Sequence, residues 1–387
     1  MTTATVHLGQ AVEHGWDAIV VGAGPAGALA ARELARQGTR VLLVDRATFP
    51  RWKVCGCCLN RQALATLQGV GLGGLAGRWG AVPLKAVRLA ARARRVLLPL
   101  PGGAALSRER LDSALVEAAV QAGAAFLPGT WAALGSVTGE GRQVILRQGG
   151  RQVEATARVV LAANGLGGGL LTGLRARAPK GSRIGAGAVA ATAPPFYTPG
   201  IIFMACGTGG YAGLVRLEDG RLDVAAALDP ELVRQAGGPG RAVESILAEA
   251  NLPPVPGLAG LAWRGTPALT RQLPRPAAER LFVLGDAAGY IEPFTGEGIA
   301  WALASAVSLA PLAACACRGW SAALADEWAR LHRRQLGRRQ RLCRAVTAAL
   351  RHPSLVRLAV GVLAWMPALA QPLIRRLNLI PPGTAQQ

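Results

Sequence analysis

The chain has 387 residues, 51% of them hydrophobic, and a formal net charge of +21. That length suits two domains and an extension better than one simple core, and the apolar content excludes disorder over most of it. The basic residues are nearly all arginine, with Lys53, Lys85 and Lys180 as the lysines; without a nucleic-acid motif or an aromatic-basic platform, this charge points to an anionic membrane surface rather than to nucleic acid.

The N-terminus is polar and lacks an apolar leader core, so a cytoplasmic protein with free thiols is expected. The first element is Ala18 to Val21, a short β-branched run that reads as a buried parallel strand. Gly22, Gly24 and Gly27 follow with GxGxxG spacing, then a helix over Ala26 to Gln37 stopped by Gly38, and a second strand over Val41 to Val44. Asp45 closes that strand 18 residues after Gly27. Each part has a physical task in holding a dinucleotide. Gly22 makes a tight turn, Gly24 lets the backbone approach a pyrophosphate, and Gly27 lets helix and strand pack closely. The helix start, Pro25 and Ala26, offers free N–H groups to phosphate, and Asp45 accepts from ribose hydroxyls.

Next comes a loop, Arg46 to Asn60, containing Arg51-Trp52-Lys53-Val54-Cys55-Gly56-Cys57-Cys58. Its Cys-Gly-Cys-Cys is not a zinc pattern, because no second ligand pair accompanies it, and no metal is expected. Residues 82–99 alternate loosely and suggest one or two strands with a basic face. Ser107 leads into a helix over Leu111 to Ala122. Short strands follow near 132–137, 143–147 and 152–157, and Val159 to Ala163 is a buried strand ending at Asn164-Gly165. From about residue 182 the pattern becomes antiparallel, with strands at 183–192, 201–206, 210–217 and 221–228 and a Glu218-Asp219-Gly220 turn. The expected fold is α/β: a Rossmann-type domain (1–81, 103–181, 268–320), an antiparallel-sheet substrate domain (82–102, 182–267) and a helical extension (321–387).

A second anchor is strand Leu281 to Leu284, ending in Gly285-Asp286 and followed by Pro293-Phe-Thr-Gly296-Glu297-Gly298 and a long apolar helix. A buried acid at a strand end needs a donor, and a ribityl hydroxyl is suitable. The helix start aims its N–H groups at whatever lies in front of it. GDAAGYIEPFTGEGIAWA resembles the second FAD fingerprint of the flavoproteins grouped with p-hydroxybenzoate hydroxylase, the flavin halogenases and the geranylgeranyl reductases. RWKVCG, PFTGEG and SRERLDSALVEAA look most like the geranylgeranyl reductase-like branch. The resemblance implies FAD. It places Gly22, Gly24, Gly27, Asp45 and Arg46 at the ADP half, and Arg108 and Asp286 at the phosphate and ribityl region. Pro293, Gly296, Glu297 and Gly298 fall at the isoalloxazine, with Lys53, Cys55 and Gly56 in the loop beside it. Two departures stand out. Asn164-Gly165 replaces an Asp-Gly, which weakens the hydroxylases' NAD(P)H-related fingerprint, and Tyr211-Ala-Gly-Leu-Val-Arg216 replaces the reductases' Phe-Pro signature. The halogenases' Trp-x-Trp-x-Ile-Pro motif is absent, which argues against halogenation.

Cys55, Tyr211 and Glu297 are the candidate catalytic groups, with Tyr290 beside them. Against these roles, a free cysteine serves equally as a small buried hydrophobe, and a first-turn glutamate is stabilised by the helix dipole. The expected activity is reduction of C=C bonds in an apolar, prenyl- or polyketide-like substrate. The alternatives are an aromatic monooxygenase and a flavin-binding scaffold without turnover. NAD(P)H stands open as electron donor. Leu358 to Ile374, without a charge and flanked by Arg357 and Arg375-Arg376, reads as a helical cap or a peripheral membrane contact ahead of a true span.

Overall fold

The computed structural model describes residues 3–378 apart from 14, 140, 168–169, 171–176 and 293. Strand β1 (Trp16–Val21), helix α1 (Pro25–Ala35) and strand β2 (Val41–Val44) form the first βαβ unit. The strands pair in parallel with Ala18 opposite Val41 and Val21 opposite Val44. All of β2 is buried, as a parallel strand covered on both faces must be. Helix α2 (Arg61–Gly69) is capped by Asn60, whose Oδ1 accepts the Ala63 N–H at 2.9 Å. Strands β3 (Ala86–Ala91) and β4 (Arg94–Pro99) follow, then helix α3 (Arg108–Gln121). The Ser107 hydroxyl caps α3 by accepting the Arg110 N–H at 3.3 Å, so the helix starts three residues before the Leu111 expected from sequence.

Strands β5 (Ala125–Leu127), β6 (Trp131–Thr138), β7 (Gly141–Gln148) and β8 (Arg151–Ala162) complete most of the first sheet. The 12-residue β8 serves two pairings. Its first half runs antiparallel to β7, and from Ala157 onward it runs parallel to β1. The second sheet contains β9 (Ile184–Ala190), β10 (Ile201–Gly207), β11 (Gly210–Arg216), β12 (Leu222–Leu228) and, after helix α4 (Pro239–Glu249), strand β13 (Arg264–Ala268). Its order is β13-β9-β12-β11-β10-β3-β4, antiparallel except for the parallel β10–β3 pair. Gly220 turns the β11–β12 hairpin at φ +86°, a conformation that glycine adopts without strain. Strand β14 (Leu281–Val283) returns to the first sheet, whose parallel part is ordered β14-β8-β1-β2-β5.

The two sheets have separate cores. Helices α1 and α3 and helix α5 (Gly298–Arg318) cover one face of the first sheet, and β6 and β7 fold toward the other. α5 is long and apolar enough to cross a membrane, but 67% of its apolar window is buried, so it is the central core helix. α4 buries Val243, Ile246 and Leu247 against one face of the second sheet. The opposite face meets the 55–58 loop and the C-terminal helices.

The extension consists of α6 (Ala322–Ala349), α7 (Pro353–Trp365) and α8 (Gln371–Leu377). The uncharged stretch from Leu358 to Ile374 is not one helix, because a 3-10 turn over Pro367–Ala370 separates α7 from α8. α6 is fixed to the first domain by Trp328, which is fully buried and donates from Nε1 to the Val283 carbonyl at 3.0 Å. Trp328→Ala is expected to cost about 3–5 kcal/mol, typical of a buried tryptophan. Chemical denaturation monitored by circular dichroism measures it; a change within error of zero would show that the extension adds nothing to the fold.

Candidate active site

The turn between β1 and α1 leaves no room for side chains. A Cβ on Gly22 (φ +103°) would come 2.4 Å from the Ala163 carbonyl oxygen, and one on Gly27 would come 1.8 Å from the Gly22 oxygen. The glycines therefore let the ends of β1, β8 and α1 close on one another. Gly24 is the N-cap of α1 and brings no side-chain cap, with Pro25 and Ala26 opening the helix. Free N–H groups of the first turn thus face outward, which suits an anion. Asp45 is buried, and its carboxylate accepts the Ala23 N–H at 2.7 Å and the Ala47 N–H at 2.9 Å. Its first task here is to hold the turn in shape.

Two guanidiniums converge in front of this turn. Arg108 donates from Nε and Nη2 to the two oxygens of Asp112 at 2.9 and 2.8 Å, and Asp112 is fully buried. Arg51 Nη2 lies 3.1 Å from Asp112 and 3.8 Å from Asp45, with its Nε buried and without a hydrogen-bond partner. A Cβ on Gly24 would sit 3.4 Å from Arg51 and 3.7 Å from Arg108. Sequence reasoning named Arg108 but missed Arg51 and Asp112. The signal available for Arg51 was its place two residues before Lys53 in the loop after the first fingerprint; for Asp112 it was the acid four residues on from Arg108.

The second fingerprint packs straight onto the first. A Cβ on Gly285 (φ +60°) would come 2.8 Å from the Ala26 Cβ, and the Gly285 N–H donates to Ser305 Oγ at 3.1 Å. Asp286 then stands within electrostatic reach of Lys53 and Arg108. Burial pushes its carboxyl up while these two cations pull it down. Lys53 is pushed down by burial and by Arg108, with Asp286 opposing, and its Nζ lies 3.1 Å from where a Gly165 Cβ would be. The Asn164 Oδ1 beside it is buried and unpaired. Arg46 reaches across to Gly167, in the turn after β8. Gly296 (φ +68°) and Gly298 shape the start of α5, with the Tyr290 ring 3.4 Å from a Gly298 Cβ. Pro293 lies outside the described residues. Glu297 accepts hydrogen bonds from Thr295 and from Cys343 of α6, each at 3.1 Å, so it ties the extension to the start of α5.

The 55–58 loop meets the second sheet. The Cys55 thiol is pushed down to about 6, first by its hydrogen bond with Cys57 and then by Arg108, against the effect of burial. Cys57 takes φ +51° and its thiol is pushed up, while Gly56 contributes its carbonyl as acceptor for Cys58 Sγ at 2.9 Å. Asp223 of β12 lies between Val189 and Val215 in the register and is 1% exposed. Burial pushes its carboxyl well up, with Cys55 adding to the effect. The Cys57 thiol comes close enough to favour the charged form, yet both oxygens lack a hydrogen bond of normal geometry. A lone acid inside an otherwise apolar strand pattern was a signal that sequence reasoning passed over. Tyr211 is buried with its hydroxyl unpaired, its ring edge-on to Phe294 at 5.0 Å and under Arg183 at 5.8 Å. Arg183 pairs with Glu292 at 3.0 Å, both buried, which joins β9 to the loop before α5.

Residues 16–198 match the model of the FAD binding domain. Menaquinone reductase of Mycobacterium tuberculosis is 39% identical over 126 residues, a stretch spanning 30% of each chain. Digeranylgeranylglycerophospholipid reductase 1 of Methanothermobacter thermautotrophicus is 29% identical over 357 residues, covering 85% of this chain and 82% of the relative. Among solved structures, the myxobacterial chondrochloren halogenase superposes with a TM-score of 0.73 at 21% identity, covering 85% of this chain and 82% of that one. Residues 16–198 therefore form an FAD-binding domain, FAD is the cofactor, and the chain shares the fold of the flavin-dependent halogenase on which it superposes. The residues fit that cofactor: a side-chain-free cradle, an uncapped helix start, and the unpaired Arg51 Nε and Asn164 Oδ1.

Two outcomes follow from this geometry. Gly24→Val places branched carbons where the diphosphate must lie, so the purified variant should be folded and colourless; full flavin absorbance would show that the phosphate turn lies elsewhere. Asp223 titrates higher in the folded chain than in the unfolded one. Its contribution is therefore greatest below about pH 4, the value of an unfolded carboxylate, and is lost as pH rises through the folded value. Denaturation midpoints across that range should fall more steeply for the wild type than for Asp223→Asn, and parallel curves would refute the assignment.

Proposed function

We propose that the chain reduces a carbon–carbon double bond in an apolar, prenyl- or polyketide-like substrate. The observation that carries this reading is Asp223: a buried carboxyl with no hydrogen bond of normal geometry, beside the Cys55–Cys57 pair, on the second sheet's face toward the 55–58 loop. The menaquinone and digeranylgeranylglycerophospholipid reductases among the relatives support the same reading. FAD, when bound, supplies hydride chemistry. The residues of the chain do the rest. The glycine turn with Arg51 and Arg108 binds the diphosphate, and Lys53 and Asp286 hold the middle of the cofactor. Cys57, Leu84, Val215 and Leu217 form an apolar cluster that excludes water from the site. A double bond that takes hydride at one carbon needs a proton at the other. Asp223 keeps its proton in this apolar setting and delivers it there. The product gains two hydrogens and no oxygen is consumed.

Hydroxylation on the same fold requires dioxygen, and this separates the two chemistries. Chemically reduced enzyme is incubated under nitrogen with polyprenyl and polyketide quinones, and products are weighed by mass spectrometry. A gain of two hydrogens at carbon is expected, with deuterium from heavy water fixed at both carbons of the former double bond. Asp223→Asn should retain FAD and lose roughly 10²-fold or more in kcat, the usual contribution of a general acid. Product that forms only in air and carries labelled oxygen would overturn the reading in favour of a monooxygenase.

A further inference from the structure

The C-terminal helices are apolar on two sides. Toward the protein, Val360, Ala370 and Ile374 are buried in one cluster with Val96 and Leu98 of β4 and Met204 of β10. Away from it, Leu355, Leu358, Val362 and Trp365 recur at helical spacing along α7, and Leu369 and Leu373 continue the stripe. Trp365 is 86% exposed and Leu358 62%. Seven of the ten large apolar side chains exposed among the described residues lie between Leu355 and Leu373. Single exposed leucines are ordinary, whereas a contiguous stripe of this size marks a surface that is covered in use.

The charge around the stripe identifies what covers it. After Glu327 the chain holds eleven arginines and no Asp or Glu. Arg357 on α7 and Arg375 and Arg376 on α8 are exposed beside the apolar stripe. A second copy of this surface would bring like charges together. An anionic lipid leaflet satisfies both features, since its headgroups take the arginines and its acyl boundary takes the leucines and the tryptophan. The geometry also favours an in-plane placement over a straight crossing by α7. α7 meets the preceding segment Gln340–Ala349 at 104°. At 13 residues it is about 20 Å long, short of the roughly 30 Å of hydrocarbon that a span must cross.

We propose that α7 and α8 form an in-plane docking surface for an anionic bilayer leaflet. The docking does not depend on the reaction assigned above. If that reading holds, the surface also gives an apolar substrate a dry route inward. The buried face of α7 and α8 belongs to the same cluster as Tyr211, Tyr290 and Phe294, near the flavin site.

The test uses the full FAD-loaded chain and sedimentation with vesicles of mixed phosphatidylglycerol and phosphatidylcholine, compared with phosphatidylcholine alone. Binding to the anionic vesicles is expected, weakening in high salt. Leu358→Glu and Trp365→Glu should each lower the bound-to-free ratio by about tenfold or more, from the apolar burial lost. The double variant Arg375→Glu/Arg376→Glu should lose the preference for phosphatidylglycerol. These sites are exposed, so flavin absorbance and melting temperature should stay at wild-type values; Leu369→Ser is a milder replacement should either glutamate variant unfold. Wild-type protein remaining in the supernatant, or variants that sediment as it does, would overturn the proposal. So would a dimer in solution that Leu358→Glu dissociates, because a second copy would then own the surface. Failure here would leave the anaerobic turnover experiment unaffected.

Discussion

Arg108 and Asp112 form a doubly hydrogen-bonded ion pair inside the protein, and much of the site's geometry depends on it. Removing one partner of such a pair strands a buried charge at about 3–5 kcal/mol. Arg51 shares the same carboxylate, so the loop after β2 is drawn back over the glycine turn. That loop carries Lys53 to the Asn164-Gly165 turn and Cys55 to the second sheet. Three cations (Arg51, Lys53, Arg108) and three carboxylates (Asp45, Asp112, Asp286) thus share one buried region. A diphosphate entering there finds donors already oriented, with their desolvation cost met by folding.

The rest of the site is assembled from distant parts of the chain. A Cβ on Gly187 of β9 would come 3.1 Å from the Val54 side chain, so the loop rests on the second sheet where no side chain intervenes. Trp52 receives Arg264 of β13 over its ring at 5.2 Å. These contacts set the Cys55–Cys57 pair against Asp223 of β12. The same closeness explains the opposed shifts of the two thiols: Cys57 and Arg108 favour the thiolate of Cys55, and that charge disfavours ionisation of Cys57 and Asp223.

The extension is neither a free tail nor a simple lid. Trp328 pins it to β14, Cys343 reaches Glu297, and Arg351 approaches Glu292 and Asp229 at 3.9 Å. Its inner face completes a cluster that the second sheet cannot close alone. Its outer face remains apolar, which links packing on one side of a helix to a separate use of the other.

Much of this architecture was legible in the chain itself. Gly22, Gly24 and Gly27 between two apolar runs define a turn that only glycine permits, and they did so without knowledge of any partner residue. Gly285-Asp286 after a strand did the same for the second fingerprint. Such motifs are local: steric limits on φ and hydrogen bonding within a few residues decide them, and local information is written in order along the sequence. The alternation after residue 182 likewise announced an antiparallel sheet. The roles of Arg51, Asp112 and Asp223 were only faintly marked in the chain, because their meaning comes from neighbours that folding brings near. Arg51 and Asp112 are 61 positions apart, and Asp223 meets a thiol 166 positions away. Glu297 shows the reverse case: its motif suggested chemistry, and its contact with Cys343, 46 residues on, gave it a structural task. Sequence alone determined the cradle for the cofactor; tertiary packing decided which charges face it, because burial and long-range Coulomb contacts exist only once the sheets have closed.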